Sequence, residues 1–183
     1  MIPTLYFLRS SEQKIATDML HYALRLDEAG KSLDDISEMR VFDRYYGLTN
    51  RDLGLYALSD HQLAGAAWIR LLKEEEHAPG FIDARTPVLV IGVKPEFRGE
   101  GIGSVMLEQL LLEAGALYDR VSVAVSAGSE AMRFFERFGF SGVEGSERQS
   151  PVDGSRTLTM VLGLERAEVK RPTDGYDPTR WMD

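Results

Sequence analysis

The sequence predicts one mixed α+β domain whose sheet has a parallel pair of strands at its centre. Residues 87–93 form a nearly continuous apolar run, typical of a strand covered on both faces. A run with helical apolar spacing follows at 102–117, and 121–126 predicts the next strand. Because the order is strand, helix, strand, a right-handed crossover should join two parallel strands. The 183 residues, 44% of them hydrophobic, are enough for one continuous core.

The N-terminal half predicts a strand, two helices and a hairpin. The predicted elements are a strand at 4–8, a helix continuing to Leu26 and ending at Gly30, a helix at 36–45 ending at Gly47, strands at 53–58 and 62–71, and a loop at 73–86. Ser10 with Gln13 predicts a capping box at the start of the first helix. The polar residues 59–61 between the two strands predict the hairpin turn.

The C-terminal part predicts a helix, a last strand and a tail. Aromatic and small residues at helical spacing define the helix, namely Ala131, Phe134, Phe135 and Phe138. Gly139 ends it, and residues 156–162 alternate as a strand. The composition turns polar after Leu164, so the predicted domain is 1–164 and the predicted tail is 165–183.

Composition excludes several functional classes. The longest apolar runs are far shorter than the roughly 20 residues of a membrane-spanning helix, and residues 1–6 lack a secretion-signal pattern, so the cytoplasm is the expected compartment. With no cysteine and three scattered histidines, no metal site is expected. A net charge of −8 opposes nucleic-acid binding and favours cationic acceptors.

The glycines at 99, 101 and 103 predict an anion site. They follow a strand and open a helix, where unshielded N–H groups and the helix dipole favour phosphate, and Arg98 adds a positive charge. No Lys-Ser or Lys-Thr follows, which excludes a P-loop, and the alternate spacing differs from the Gly-x-Gly-x-x-Gly of a dinucleotide fold. A turn that only packs tightly, and a module for another mononucleotide, stay as alternatives.

Residues 93–103, Val-Lys-Pro-Glu-Phe-Arg-Gly-Glu-Gly-Ile-Gly, resemble the acetyl-CoA signature of the GNAT superfamily. The helix at 131–140 is similar to the later helix of that family, which ends in an aromatic pair, three residues and Gly-Phe. The resemblance covers nearly all of the chain except the tail. It implies a GNAT-like acyltransferase fold and transfer of an acetyl group from acetyl-CoA to a primary amine.

The resemblance also implies where acetyl-CoA would bind. The strand at 91–93 should splay away from the strand at 121–126, and the pantetheine arm should pair with backbone groups of Ile91 and Val93. Gly92 fits a bulge or a close backbone approach. The implied cofactor-binding residues are Ile91, Gly92, Val93, Arg98, Gly99, Glu100, Gly101, Ile102, Gly103, Ser104, Phe134 and Phe135.

Two positions depart from the family pattern. Gly128 stands where an Asn is usual, and Phe135 stands where a Tyr usually protonates the leaving thiolate. A phenyl ring cannot donate that proton, so a non-catalytic CoA-binding regulatory domain is the alternative function. The catalytic residues stay unassigned.

Acidic and imidazole groups in the loop before the glycine-leading strand are candidate bases or acceptor ligands, although each is more simply a solvated residue. They are Asp83, His77 and residues 74–76, while Tyr45, Tyr46 and His61 are more simply packing or turn residues. A small-molecule or peptide amine is the expected partner, contact with nucleic acid or membrane is not expected, and a homodimer is left open.

Overall fold

The computed structural model describes residues 2–165. The strands are β1 (Thr4–Phe7), β2 (Leu53–Ser59), β3 (Gln62–Arg70), β4 (Val88–Val93), β5 (Arg120–Ser126), β6 (Ser141–Gly142), β7 (Arg148–Gln149) and β8 (Arg156–Gly163). The helices are α1 (Gln13–Ala23), α2 (Leu26–Ala29), α3 (Ile102–Ala114) and α4 (Glu130–Arg137). The predicted tail lies outside the described residues, apart from Glu165.

One sheet runs in the order β1-β2-β3-β4-β5-β8-β6, and β7 also pairs with β8. The pair β4–β5 is parallel, and the other pairs are antiparallel. Helix α3 connects β4 to β5 as the crossover. The predicted mixed sheet with a central parallel pair is therefore confirmed.

The sheet separates two hydrophobic cores. Met106 and Leu110 of α3 pack with Leu89 of β4 on one face. Met19 of α1 and Trp68 of β3 lie in the core on the other face. Because side chains alternate along a strand, β4 contributes to both cores.

Two adjacent glycines make the sheet thin where β3 meets β4. A Cβ on Gly92 would lie 2.8 Å from both Ala23 N and Met19 O of α1. A Cβ on Gly65, which lies on β3 diagonally across from Gly92, would lie 2.8 Å from Met106 Cε of α3. The close approach predicted at Gly92 is thus made by α1.

The β2–β3 hairpin forms as predicted, with Asp60 and His61 as its two turn residues. Both have a positive φ, 51° and 64°. This left-handed pair suits a two-residue turn whose twist matches the flanking strands. His61 is therefore a hairpin residue.

The start and end of the first helix differ from the prediction. The carboxylate of Glu12 accepts a hydrogen bond from Arg9 N at 3.0 Å, so the capping interaction precedes the predicted Ser10–Gln13 box. The helix ends before Leu26 because Arg25 adopts φ 55°. A separate short helix, α2, then begins.

The predicted second helix at 36–45 is instead a 3₁₀ segment, Leu33–Phe42, interrupted at Ile36. Asp43 closes this segment with its side chain fully buried. Its carboxylate accepts from Arg40 Nε at 2.9 Å and from Thr17 Oγ1 at 2.6 Å. These tertiary bonds fix the segment to α1, and helical periodicity alone did not reveal them.

Three smaller features also differ. Leu117, placed by periodicity on the buried side of the crossover helix, lies beyond Ala114 and is 58% exposed. Strands β6 and β7 have two residues each, too short for an alternating pattern to indicate. The loop at 73–86 contains a short 3₁₀ turn, Glu74–Glu76. Among the residues described, no helix combines the length and hydropathy needed to cross a bilayer.

Candidate functional site

The parallel strands β4 and β5 meet at one end and separate at the other. Within the described chain they share one paired position, Val88 with Ser122. Ser122 N donates to Pro87 O at 3.0 Å. Towards their carboxyl ends the two strands have no paired residues, which leaves a gap that opens towards the glycine loop.

Side-chain bonds lock the joined end of the pair. Ser122 is fully buried, and its Oγ donates to Gly80 O at 2.7 Å. Arg120 Nε donates to Thr86 Oγ1 at 2.9 Å, and its guanidinium forms an ion pair with Asp83. The loop before β4 is therefore anchored where the strands are joined, which we call the closed end.

At the open end, the backbone of β4 faces the gap at alternate residues. Lys94 N donates to Ala64 O of β3 at 2.8 Å. Because backbone groups alternate along a strand, those of Ile91 and Val93 point the other way, into the gap. An extended chain with its own amides could pair with them there.

The glycine loop closes the mouth of the gap. Gly99 and Gly101 both have φ 81°, a left-handed conformation that favours glycine. Apart from the adjoining residues, no described atom lies within 4 Å of where their Cβ atoms would stand, so the loop is open around them. Gly101 caps α3, and the first intrahelical bond is Val105 N to Gly101 O at 3.1 Å. The N–H groups of residues 102–104 precede that bond and can receive an anion.

The side chain of Arg98 lies against β4 and α2. Its Nε donates to Val93 O at 3.1 Å, and its Nη1 contacts Glu28 Oε1 at 3.3 Å. Glu28 also accepts from Arg25 Nη1 at 2.8 Å. Arg98 therefore covers one of the backbone carbonyls that face the gap, and Glu28 holds it there.

The two phenylalanines of α4 occupy different environments. A Cβ on Gly103 would lie 3.8 Å from both Phe134 Cζ and Val93 Cγ2, so Phe134 stands across the gap from β4. Phe135 is 3% exposed, and its ring centroid lies 5.2 Å from those of Phe134 and Phe140. Phe134 thus lines the gap, while Phe135 belongs to the core behind it.

The sequence that forms this site matches a known protein family. The model of the acetyltransferase (GNAT) domain matches residues 50–142, more than half of the chain. The chain belongs to the GNAT acetyltransferase family. The matched span contains the hairpin, the splayed pair, the glycine loop and both phenylalanines of α4. Among curated protein sequences, none matches this chain.

Solved structures of GNAT proteins have the same fold. A GNAT-family acetyltransferase from Streptococcus pneumoniae matches with a TM-score of 0.66 at 17% identity, over 89% of this chain and 99% of that one. The phosphinothricin acetyltransferase of Sinorhizobium meliloti, solved in complex with AcCoA, matches with a TM-score of 0.61 at 16% identity, over 97% of each chain. The ribosomal-protein-S18-alanine N-acetyltransferase of Escherichia coli matches with 0.60 at 16% identity, over 93% of this chain and 99% of that one.

Asp83, one candidate base, lies at the closed end of this GNAT domain. Burial acts to raise its pKa, but hydrogen bonds from Arg85 N, Thr86 and Arg120 outweigh burial and hold the pKa below its ordinary value. Its carboxylate accepts from Arg85 N at 2.9 Å. Asp83 is thus an ionised partner of Arg120, on the side of the strand pair away from the glycine loop.

The other candidate side chains also have structural surroundings. Tyr46 is 3% exposed, its hydroxyl donates to Leu8 O at 3.2 Å, and burial raises its pKa. Tyr45 is 68% exposed with φ 60°. His77 and the acidic run at 74–76 are exposed, and Glu76 Oε1 accepts from Lys73 N at 2.9 Å. Within residues 2–165, no three His, Cys, Asp or Glu side chains are grouped as metal ligands.

The sequence-based prediction did not identify two residues that shape the site, Ser122 and Glu28. Ser122 interrupts the apolar strand 121–125, and a lone polar residue in a buried strand is a signal that it has a partner. Glu28 lies 70 residues from Arg98, and no local pattern links the two. Only the folded chain brings them together.

Proposed function

We propose that this GNAT chain transfers an acetyl group from acetyl-CoA to a primary amine. The observation that carries the proposal is the parallel pair that has, among the described residues, one paired position, Val88 with Ser122, and opens towards a glycine-capped helix. An extended ligand with amides along its length and a phosphate group at one end fits such a gap. Acetyl-CoA has both features.

In this proposal, the pantetheine amides pair with the backbone of Ile91 and Val93, and the pyrophosphate binds the N–H groups of the loop at 98–104. Phe134 flanks the ligand from the opposite wall. Arg98 has to exchange its bond to Val93 O for one to the ligand, because that carbonyl faces the same gap. Gly92 contributes to the site indirectly, because the absence of a side chain lets α1 pack directly on β4 there.

The reaction requires a neutral amine to attack the thioester carbonyl carbon. As the new C–N bond forms, the C–S bond breaks, the amine loses a proton, and the CoA thiolate takes one up. The Val93 N–H is the backbone donor we assign to polarise the carbonyl. Phe135 offers no proton, so we assign protonation of the thiolate to water.

The acceptor is proposed as a small-molecule or peptide amine. The structural neighbours carry names with different acceptors, which include phosphinothricin and the alanine of a ribosomal protein. A net charge of −8 favours a cationic acceptor by raising its concentration near the surface.

The test is a panel of amines incubated with acetyl-CoA, with release of free thiol as the readout and calorimetry of acetyl-CoA binding alongside. We expect saturable binding and turnover with at least one amine. The Gly103→Leu variant is the control, because its side chain would enter the gap. An absence of acetyl-CoA binding to the folded wild type would overturn the proposal.

A non-catalytic CoA-binding domain is the second candidate, and Phe135 is the observation that favours it. It predicts acetyl-CoA binding without thiol release for every amine. Thiol release by the wild type separates the two candidates. If the chain is an enzyme, the Phe135→Tyr variant binds acetyl-CoA within a few-fold of wild type and turns over at an equal or higher rate. General-acid help, typically worth about 10²–10⁴, is expected only if the new hydroxyl reaches the gap from the core position of this ring.

A further inference from the structure

The β1 edge of the sheet has backbone groups available for pairing. In the part of the chain that the structure describes, β1 is the last strand on its side of the sheet. Leu8 N donates to Gly54 O of β2 at 2.8 Å, so even-numbered residues face β2. The N–H and C=O groups of Leu5 and Phe7 therefore point outward. Such an edge is a template for another strand.

This edge is also apolar and uncharged. Ile2, Tyr6 and Phe7 are 89%, 46% and 54% exposed. The segment 2–8, Ile-Pro-Thr-Leu-Tyr-Phe-Leu, carries no charge, although the whole chain has a net charge of −8. At the opposite edge, β6 and β7 have only two residues each, which limits pairing. The two edges are thus protected unequally.

Space for the side chains of an added strand exists on both faces of β1. On the α3 face, a concavity of about 270 Å³ is lined by Leu5, Phe7, Leu55, Gln109 and Glu113 among others. On the other face, a second concavity of about 480 Å³ is lined by Tyr6, Arg9, Glu12 and Tyr56 among others. The rings of Tyr6 and Tyr56 stack there with centroids 5.4 Å apart. Both faces can therefore receive alternate side chains of a neighbour.

We propose that a second copy of this chain pairs with β1 in antiparallel orientation, with the two-fold axis at Tyr6. In that register Leu5 lies opposite Phe7 of the other copy, and the two exchange N–H···O bonds. Thr4 lies opposite Leu8, and Pro3, which has no N–H, lies opposite Arg9. Tyr6 meets its own counterpart and extends the stack with Tyr56. The interface is isologous, as closed dimers require.

The self-complementary register and the absence of charge in segment 2–8 favour a second copy as the occupant. Two molecules of charge −8 repel over most of their surfaces, and the uncharged segment 2–8 is where they can approach at least cost. The two-fold register places no like charges opposite each other between Ile2 and Ser10. Across the axis, the outward backbone groups of Leu5 and Phe7 can bond to each other, and both side chains are apolar.

The test is a charge swap at the axis, measured by sedimentation and by native mass spectrometry over a concentration series. Wild type is expected at the mass of two chains. Y6K and Y6E should each fall to the mass of one chain, because like charges then lie directly opposite. An equimolar mixture of Y6K and Y6E should recover the two-chain mass as a heterodimer. Ser141, exposed on β6 at the opposite edge of the sheet, supplies the control pair S141K and S141E, which should stay dimeric.

Circular dichroism of each variant checks the fold, which should survive because Tyr6 is half-exposed. Three outcomes would overturn the proposal. Wild type could have the mass of one chain at every concentration. Y6K and Y6E could both stay dimeric, which would place the interface elsewhere. The mixture could fail to form a heterodimer, which would exclude the register centred on Tyr6.

Discussion

The two ends of the β4–β5 pair are built by opposite means. At the closed end, Ser122, Arg120 and Asp83 tie the preceding loop to β5 through side-chain bonds. At the open end, backbone groups of β4 face a gap where Arg98 covers only the Val93 carbonyl, and glycines keep side chains out of its mouth. A gap between adjacent strands leaves backbone groups unpaired, so the bonds at the closed end offset that cost. The site therefore depends on residues that no ligand would touch.

The largest effect is expected from filling the open end. Gly103→Leu should weaken acetyl-CoA binding by at least about 100-fold, which is roughly 2.7 kcal/mol. The position is helical, and a Cβ there would make only ordinary 3.8 Å contacts to Phe134 and Val93, so the larger side chain would extend into the gap. Calorimetry measures the affinity.

Gly103→Ala is the matched control. It should bind acetyl-CoA nearly as wild type does and gain up to about 1 kcal/mol of stability, because alanine favours a helix over glycine. Wild-type affinity in a folded Gly103→Leu variant would remove the gap as the binding site.

The next effect concerns the closed end. Ser122→Ala should lower the free energy of unfolding by about 1–3 kcal/mol, because it leaves the buried Gly80 carbonyl without its hydroxyl donor. Ser126→Ala, the same change at the exposed end of the same strand, should stay within about 0.5 kcal/mol. Urea denaturation of both variants measures the difference. Equal values would mean that the Ser122 hydroxyl does not lock the strands.

A smaller effect is expected at the link between Arg98 and Glu28. Glu28→Gln should tighten acetyl-CoA binding by about two- to five-fold at low salt, and the gain should shrink as ionic strength rises. With the carboxylate neutralised, Arg98 no longer has to leave an ion pair to reach a phosphate. Calorimetry at two salt concentrations measures this. Asp27→Asn, the same charge change one residue away, should do less, and weaker binding in Glu28→Gln would show that Glu28 positions Arg98 for the ligand.

The smallest effect is expected at Asp83. A carboxylate whose pKa is lowered on folding stabilises the folded state at pH values above its ordinary pKa of 3.8. This stabilisation is lost as the pH falls through the lower pKa of the folded state. Asp83→Asn should therefore lower the free energy of unfolding at pH 7 by less than about 1 kcal/mol, as expected for an exposed ion pair. The variant should also lose less stability than wild type as the pH falls. Thermal melts from pH 7 to pH 3 measure both. Turnover should be unchanged, and its collapse in the variant would restore Asp83 as a base.

Local patterns predicted one part of this molecule and long-range contacts decided the rest. The apolar strand, the glycines and the phenylalanine spacing lie within a few residues of each other, so the sequence predicted β4, α3 and α4. The left-handed Arg25 and the 3₁₀ segment around Ile36 depend on tertiary partners such as Asp43. Asp83 was a candidate base by its place in the loop before β4, but its partner Arg120 lies 37 residues away at the closed end.

Gly65 and Gly92, diagonal neighbours on β3 and β4, have a mechanical consequence. Where side chains separate a helix from the sheet, they can adjust their rotamers when the helix moves. At this point Met106 of α3 meets the backbone from one side and α1 meets it from the other. Because only the flexible end of Met106 stands between α3 and the strands that α1 contacts, a tilt of α3 larger than this side chain can absorb should displace the sheet against α1. The helix whose N-terminus is proposed to receive the pyrophosphate is thereby coupled to the helix on the opposite face.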